Sequence, residues 1–334
     1  MSHHQPRKND TATPITEIAL GSLPVLLKRE EFVPSGSHKG RPTKFIADAL
    51  RRNGKFYRVT GKKPQFVVPS SGNFGIGFAF HTQYDDIEVL VITDALSSVE
   101  SREALRAYDH VRVEVVDQPD ESGSHLKARM ALLANFLAKN PNATVINQYC
   151  ERCVPLAYEL SLAKEIDEQT DGQVGMIVLP VGTGGTLNGV LKYVQKHRRN
   201  WTVIAADARG SRLFHDPAGC KRHFPGYGNG QPTALIEEIS RYPYSFGVVH
   251  VDDEHAALAC HSMWRKHDLM FGPSSGASIA AIEMVLRYRP ELIPDAGHIV
   301  AVMPDSGRNY MSSLFSEDWL MANGLGKVVG FASV

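Results

Sequence analysis

The strongest constraint on the fold is a rhythm. Short apolar runs recur at 65–69 (QFVVP), 88–93 (EVLVIT), 111–116 (VRVEVV), 144–148 (TVINQ), 175–181 (GMIVLPV), 202–206 (TVIAA), 247–251 (GVVHV) and 298–303 (HIVAVM). Longer segments lie between them, with helical stretches at 99–107, 124–139 and 277–288. Strands that alternate with helices predict parallel sheets covered on both faces. Eight such strands admit one closed barrel or two open sheets. The glycine-rich turns fall in two separated groups, which favours an α/β fold of two open, mostly parallel sheets covered by helices. At about one domain per 150 residues, a chain of 334 has room for two lobes.

Composition removes several classes of function. The 36 basic and 36 acidic residues leave a formal net charge of zero, so nothing attracts nucleic acid or an acidic membrane in bulk. No apolar run approaches the ~20 residues that span a bilayer. The start, MSHHQPRKND, lacks the apolar core of a secretory signal, and residues 1–12 read as a disordered polar tail. Four cysteines are too few for a disulfide framework in a chain this long, and a reducing cytoplasm fits them best. Cys150-x-x-Cys153 has redox or metal spacing, but no second pair with zinc spacing appears. It reads as two unrelated cysteines, with a thiol switch beside Gln148 as the alternative, and no metal is predicted. The stretch 214–233 is long, aperiodic and rich in Gly and Pro, as lids often are.

Three loops and one lysine carry chemistry. Ser70-Ser71-Gly72-Asn73-Phe74-Gly75 follows the 65–69 strand and opens a helix, whose free N–H groups suit a carboxylate; a capped turn is the alternative. Gly182-Thr183-Gly184-Gly185-Thr186 follows the 175–181 strand. Three glycines in five let the backbone form a nest of donors that suits a phosphate. It is not a Walker loop, since no Gly-Lys-Ser/Thr follows, and it lacks GxGxxG spacing. Gly272-Pro273-Ser274-Ser275-Gly276-Ala277 opens an apolar helix, and its serines could equally be helix caps. Lys39, in KREEFVPSGSHKGRP (28–42), is either a solvated charge or an amine held for a carbonyl. Together an amine, a phosphate nest, a carboxylate cup and a serine pair match the needs of pyridoxal phosphate.

At this point the chain resembles the tryptophan-synthase-β (fold type II) family of pyridoxal-phosphate enzymes, in its cysteine synthase and cystathionine β-synthase branch. Lys28, Glu30, Pro34, Gly36, Ser37, Lys39 and Arg41 reproduce the pattern K-x-E-x-x-x-P-x-G-S-x-K-x-R. SSGNFGIGFA, GTGGT and GPSSGAS resemble the family's carboxylate, phosphate and pyridine-nitrogen loops. Residues 304–310 (PDSGRNY), followed by SEDWLMANGL, are similar to the closing segment of cystathionine β-synthases. The resemblance covers about residues 13–325. His38 departs from it, standing where cysteine synthases carry an aliphatic residue, and is expected to face away toward packing or solvent.

The resemblance implies an active site between two lobes: a larger cofactor-binding one of 13–41 and 149–334, and a smaller mobile one of 42–148. It makes Lys39 the Schiff-base and catalytic lysine. Gly182, Thr183, Gly184, Gly185 and Thr186 would hold the phosphate, Asn73 the ring hydroxyl oxygen, and Ser274 the pyridine nitrogen. Ser70, Ser71, Gly72, Asn73 and Gln148 would take the substrate carboxylate. The implied reaction is β-replacement on serine or an O-activated serine by a small nucleophile, through an α-aminoacrylate, in a homodimer. A serine/threonine dehydratase and a diamino-acid synthase are the alternatives.

Overall fold

The computed structural model describes residues 12–58, 61–70, 72–95, 97–121, 125–149, 152–216, 220 and 222–332. Ser71 and Cys150 therefore lie outside the described residues. Ten strands are present among those described: β1 (Ile15–Leu20), β2 (Leu23–Arg29), β3 (Gln65–Pro69), β4 (Glu88–Asp94), β5 (Val111–Val116), β6 (Thr144–Val145), β7 (Val174–Pro180), β8 (Thr202–Ala208), β9 (Gly247–Val251) and β10 (His298–Met303). One sheet runs β1-β2-β10-β7-β8-β9 and the other β5-β4-β3-β6. Every pairing is parallel except β1 with β2.

The eight predicted strands are all found, the fourth shortened to two residues. The β1–β2 hairpin was not anticipated. It turns through Gly21 and Ser22, with Leu20 opposite Leu23. A search for apolar runs passes over β2 because one of its inward residues, Lys28, is charged yet fully buried.

The helices are α1 (Gly40–Arg52), α2 (Asn73–Thr82), α3 (Val99–Arg106), α4 (His125–Lys139), α5 (Cys153–Tyr158), α6 (Lys164–Gln169), α7 (Gly185–Lys196), α8 (Ala234–Ile239), α9 (Asp253–His267), α10 (Pro273–Tyr288), α11 (Glu317–Ala322) and α12 (Gly326–Ala332). A wider π turn at Glu159–Ala163 joins α5 to α6.

Alternation along the strands sorts the core. Ile177 and Leu179 of β7 and Val203 and Ala205 of β8 share one apolar cluster with Phe66 and Val68 of β3 and Val89 and Val91 of β4. That cluster also takes in Ile46 of α1, Val154 of α5 and Leu187 of α7, so it ties the two sheets together. The intervening residues Met176, Val178 and Ile204 face a second cluster with α9 and α10. Val67, Leu90 and Ile92 face Leu133 of α4. Loops at the carboxyl ends of both sheets meet at one cavity, where ligands of open α/β sheets bind.

Candidate active site

Lys39 lies where three distant segments are stitched together. The His38 N–H donates to the Pro304 carbonyl (2.9 Å), the Gly272 N–H to the Asp305 carbonyl (3.2 Å), and the Gly307 N–H to the Met270 carbonyl (3.0 Å). Ser37 pairs with Asp305, and Phe271 with Ser306, as single antiparallel bridges. The loops after β2 and β10 and the loop into α10 are thereby fixed to one another. Lys39 itself has helical backbone (φ −67°, ψ −18°) and caps α1. Helix α2 packs against that first turn because residue 77 is glycine. A Cβ there would lie 2.6 Å from Thr43 Oγ1 and 3.2 Å from the Lys39 carbonyl oxygen.

Two residues on, Arg41 anchors the segment. Its Nε donates to Glu30 Oε2 (2.6 Å), its Nη1 to Glu165 Oε1 (2.6 Å), and its Nη2 to Glu30 Oε1 (2.8 Å) and Glu165 Oε2 (2.7 Å). Lys28 Nζ donates to Glu165 Oε2 (2.9 Å), Gln169 Oε1 (2.7 Å) and the Thr13 carbonyl (2.8 Å). Burial opposes the charge on Arg41, but the two carboxylates outweigh it and raise its pKa. The Lys28, Glu30 and Arg41 of the sequence pattern thus build a balanced buried clasp, and Lys39 alone among its charges is left for chemistry.

The surroundings of Lys39 are far less saturated. Its Nζ lies 2.5 Å from His38 Nε2. Burial pushes its pKa down to about 8, against the pull of the Asp305 carboxylate. Burial also holds His38 well below the usual imidazole range. A neutral His38 accepts at Nε2 only with its proton on Nδ1, an atom with no hydrogen-bond partner among the described residues. The expectation that His38 faces away is therefore corrected: it lines the cavity beside the amine, edge-on to the Tyr158 ring. The turn explains this, because successive side chains diverge by about 100° in helical backbone rather than alternating as in a strand.

Asp305 was not singled out from the sequence, although it lies in the PDSGRNY segment. It is buried, and its Oδ2 accepts from Asn73 Nδ2 (2.6 Å) and the Tyr310 hydroxyl (2.7 Å). Its Oδ1 has no partner among the described residues. Burial pushes its pKa up to about 6, with those two hydrogen bonds opposing.

A cavity of about 620 Å³ brings Lys39, Ser70, Gly72, Asn73, Gln148, Gly182, Thr183 and Ser274 together. Gly184 is the left-handed residue (φ +88°) that starts α7, and a Cβ there would meet Ile236 at 2.8 Å. Gly185 and Thr186 open that helix. Ser70 is already engaged, since its Oγ accepts from the N–H groups of Gly75 (3.1 Å) and Gly72 (3.3 Å). The cap reading of the serine pair is corrected too: Gly272 is the cap of α10, and Pro273 and Ser274 fall within its first turn. Ser274 reaches the cavity, whereas Ser275 Oγ is buried without a partner among the described residues. The described part of 222–233 is packed as cavity wall. Phe224 and Tyr227 are buried, and the Tyr227 hydroxyl donates to Asp253 (2.6 Å) while Thr233 Oγ1 donates to the Thr183 carbonyl (2.7 Å).

A family profile described as "Pyridoxal-phosphate dependent enzyme" matches residues 8–305. The chain belongs to that family. Its cofactor is pyridoxal phosphate, and the residues present fit it: an amine with a lowered pKa, a glycine turn packed too closely on Gly226, Ile236 and Val154 to admit side chains, and a hydroxyl at Ser274.

Solved structures share the fold. The O-acetylserine-dependent cystathionine β-synthase from Helicobacter pylori is 21% identical with a TM-score of 0.77, over 91% of this chain and 95% of that one. O-ureido-L-serine synthase is 22% identical with a TM-score of 0.75, over 93% and 96%. A hydrogen sulfide-producing enzyme from Fusobacterium nucleatum is 23% identical with a TM-score of 0.77, over 89% and 96%. Among the described residues no helix is long and apolar enough to cross a membrane, and no cluster of three His, Cys, Asp or Glu is placed to hold a metal ion.

Proposed function

We propose that the enzyme catalyses β-replacement on serine or an O-activated serine, exchanging the β-substituent for a small nucleophile. One observation supports the reading: a single cavity is lined by the buried Lys39, by the glycine-bearing loops at 72–73 and 182–183, and by Ser274. Pyridoxal phosphate, when bound, draws electrons from Cα of an amino acid so that its proton and β-substituent can leave.

The chain's own groups do the rest. The nest at 182–186 takes the phosphate. The N–H groups of Asn73 and Phe74, with Gln148, take the α-carboxylate, since Ser70 already engages those of Gly72 and Gly75. Lys39 Nζ, freed when the substrate amine takes its place, removes the Cα proton and later returns it; a pKa near 8 suits both directions. A hydroxyl at Ser274 does not fix a proton on the ring nitrogen as a carboxylate would. That weakens the electron sink and favours loss of the β-substituent over transamination or racemisation. Overall the Cβ bond to the leaving group breaks with its electron pair. The nucleophile's lone pair makes the new bond there, and its proton leaves with the departing group.

The names of the fold neighbours, which mention O-acetylserine, O-ureido-L-serine and hydrogen sulfide, agree with this reading. In it, 42–148 is the smaller lobe that closes on substrate, against 13–41 with 149–334, and excludes water. By the same resemblance the enzyme works as a homodimer, and its few cysteines suit a reducing cytoplasm; sedimentation and fractionation test the two. The deciding experiment offers O-acetylserine, O-phosphoserine and serine with sulfide, cysteine, homocysteine or small amines, and identifies products by mass spectrometry. A substituted amino acid is expected. Oxo acid and ammonia alone, at a rate indifferent to every acceptor, would make the protein a dehydratase.

A further inference from the structure

The two anion cups of the proposed reaction are built from backbone N–H groups and neutral side chains. Yet the cavity wall carries four cations besides Lys39: Lys127 and Arg129 from α4, and Arg212 and Arg222 from the segment after β8. Arg129 is the informative one. It is 4% exposed, and its Nε lies 3.0 Å from Asp94 Oδ2 at the end of β4, though without an aligned N–H. Its Nη1 is buried with no hydrogen-bond partner among the described residues. A buried guanidinium donor left unmatched costs stability. Arg41, equally buried, has acceptors on all three nitrogens. Asp94 stands beside Nε as an ion pair without a hydrogen bond, and a guanidinium with unmatched donors suits a carboxylate or phosphate.

The position of this wall gives the unmatched donor a use. Ser101 lines the same cavity, and its Oγ lies 3.6 Å from where a Cβ on Gly72 would stand. Asp94, beside Arg129, stands two residues past Ile92, whose carbonyl accepts from the Ser70 N–H (3.0 Å), so this wall adjoins the loop assigned to the α-carboxylate, while Arg222 belongs to the segment after β8. We propose that Arg129, with Lys127 and Arg222, forms a subsite for a second anionic group, a phosphate or carboxylate carried by one of the two substrates in addition to the α-carboxylate. This rests on the β-replacement reading. The group is either the leaving phosphate of the donor or an acid group on the acceptor, and the chemistry that recognises it is the same.

The test uses the holoenzyme, in which the cofactor already fills the nest at 182–186. Inorganic phosphate is titrated by calorimetry into the wild type, Arg129→Met and Lys127→Gln, each first shown to keep its circular dichroism and cofactor absorbance. Lys127 is exposed, so its replacement stays informative if the buried Arg129→Met fails to fold. Binding to the wild type, weakened about tenfold or more by each substitution, is expected. In turnover, the kcat/KM ratio of O-phosphoserine to O-acetylserine, with sulfide, should fall about tenfold if the donor carries the anion. If the acceptor carries it, the ratio of glutamate to sulfide, with O-acetylserine, should fall instead. No phosphate binding by the wild type, or equal binding by all three proteins with neither ratio moved, overturns the subsite. Arg129-dependent phosphate binding with no substituted product from any pair would support the subsite and sink the β-replacement reading alone.

Discussion

Lys39 and Arg41 stand two residues apart on the same turn, both buried and both cationic, and their surroundings could hardly differ more. Arg41 has a carboxylate on every nitrogen. Lys39 has a neutral imidazole at 2.5 Å and a more distant carboxylate that only partly offsets its burial. A saturated buried charge holds a fold together. An undersaturated one has a lowered pKa and reacts. The sequence pattern that contains both is therefore two devices: a clasp that fixes the turn and an amine that the turn presents.

The difference can be broken from either side. Lys39→Ala is expected to abolish the visible absorbance of the bound cofactor and to cut turnover by more than about a thousand-fold, with the unfolding midpoint little changed. Arg41→Met should do the reverse. It leaves Glu30 and Glu165 underpaired and costs about 3–5 kcal/mol in urea unfolding, while the protein that remains folded keeps its colour. Similar profiles for the two variants would collapse the distinction.

Acid sharpens it, because the two clusters titrate in separate windows. His81 lies on α2, which packs against the first turn of α1, and burial pushes its pKa down to about 4. The unfolded chain binds that proton near pH 6.5. Stability is thus full above pH 6.5 and is lost as pH falls toward 4, by up to about 3 kcal/mol. The clasp behaves otherwise. Arg41 and Lys28 outweigh the burial of Glu165 and lower its pKa, so its contribution is kept down to about pH 4.5 and lost only below. Unfolding free energies measured across pH should show both steps, and His81→Gln should reduce the upper one, leaving the part that buried His38 contributes. An unchanged upper step in that variant would show that another group causes it.

The smallest effect lies within one helical turn. Ser274→Ala is expected to slow turnover roughly fivefold to tenfold. Ser275→Ala, whose hydroxyl has no partner among the described residues, should leave the rate nearly unaltered. The opposite ranking would move the ring-nitrogen role one position along.

Much of this was legible because the informative residues are local. The strands show as apolar runs, and Lys39 and the loops at 72–73, 182–186 and 274 as short patterns, since backbone geometry within a few residues shapes each of them. What escaped depended on distant partners. Lys28 hides β2 from an apolar search because Glu165, far along the chain, neutralises it. His38 was misplaced because the turn, not the residue, sets its direction. Arg129 looks like the polar face of an amphipathic helix, and only Asp94 on another element reveals it as buried. Asp305 sat in a quoted segment, but its role depends on Asn73 across the cavity.

The position of β2 in its sheet also sets a timetable. Its parallel neighbour β10 (His298–Met303) is the last strand among the described residues, and Glu165 of the clasp also comes long after β2. On a ribosome adding about 5–20 residues per second, the hairpin waits roughly a quarter of a minute to a minute for that neighbour. The other sheet is different: its four strands are contiguous between residues 65 and 145, so it can assemble while the rest of the chain is still being synthesised. The segment bearing Lys39 is thus made long before residues 298–307, which hold it in place.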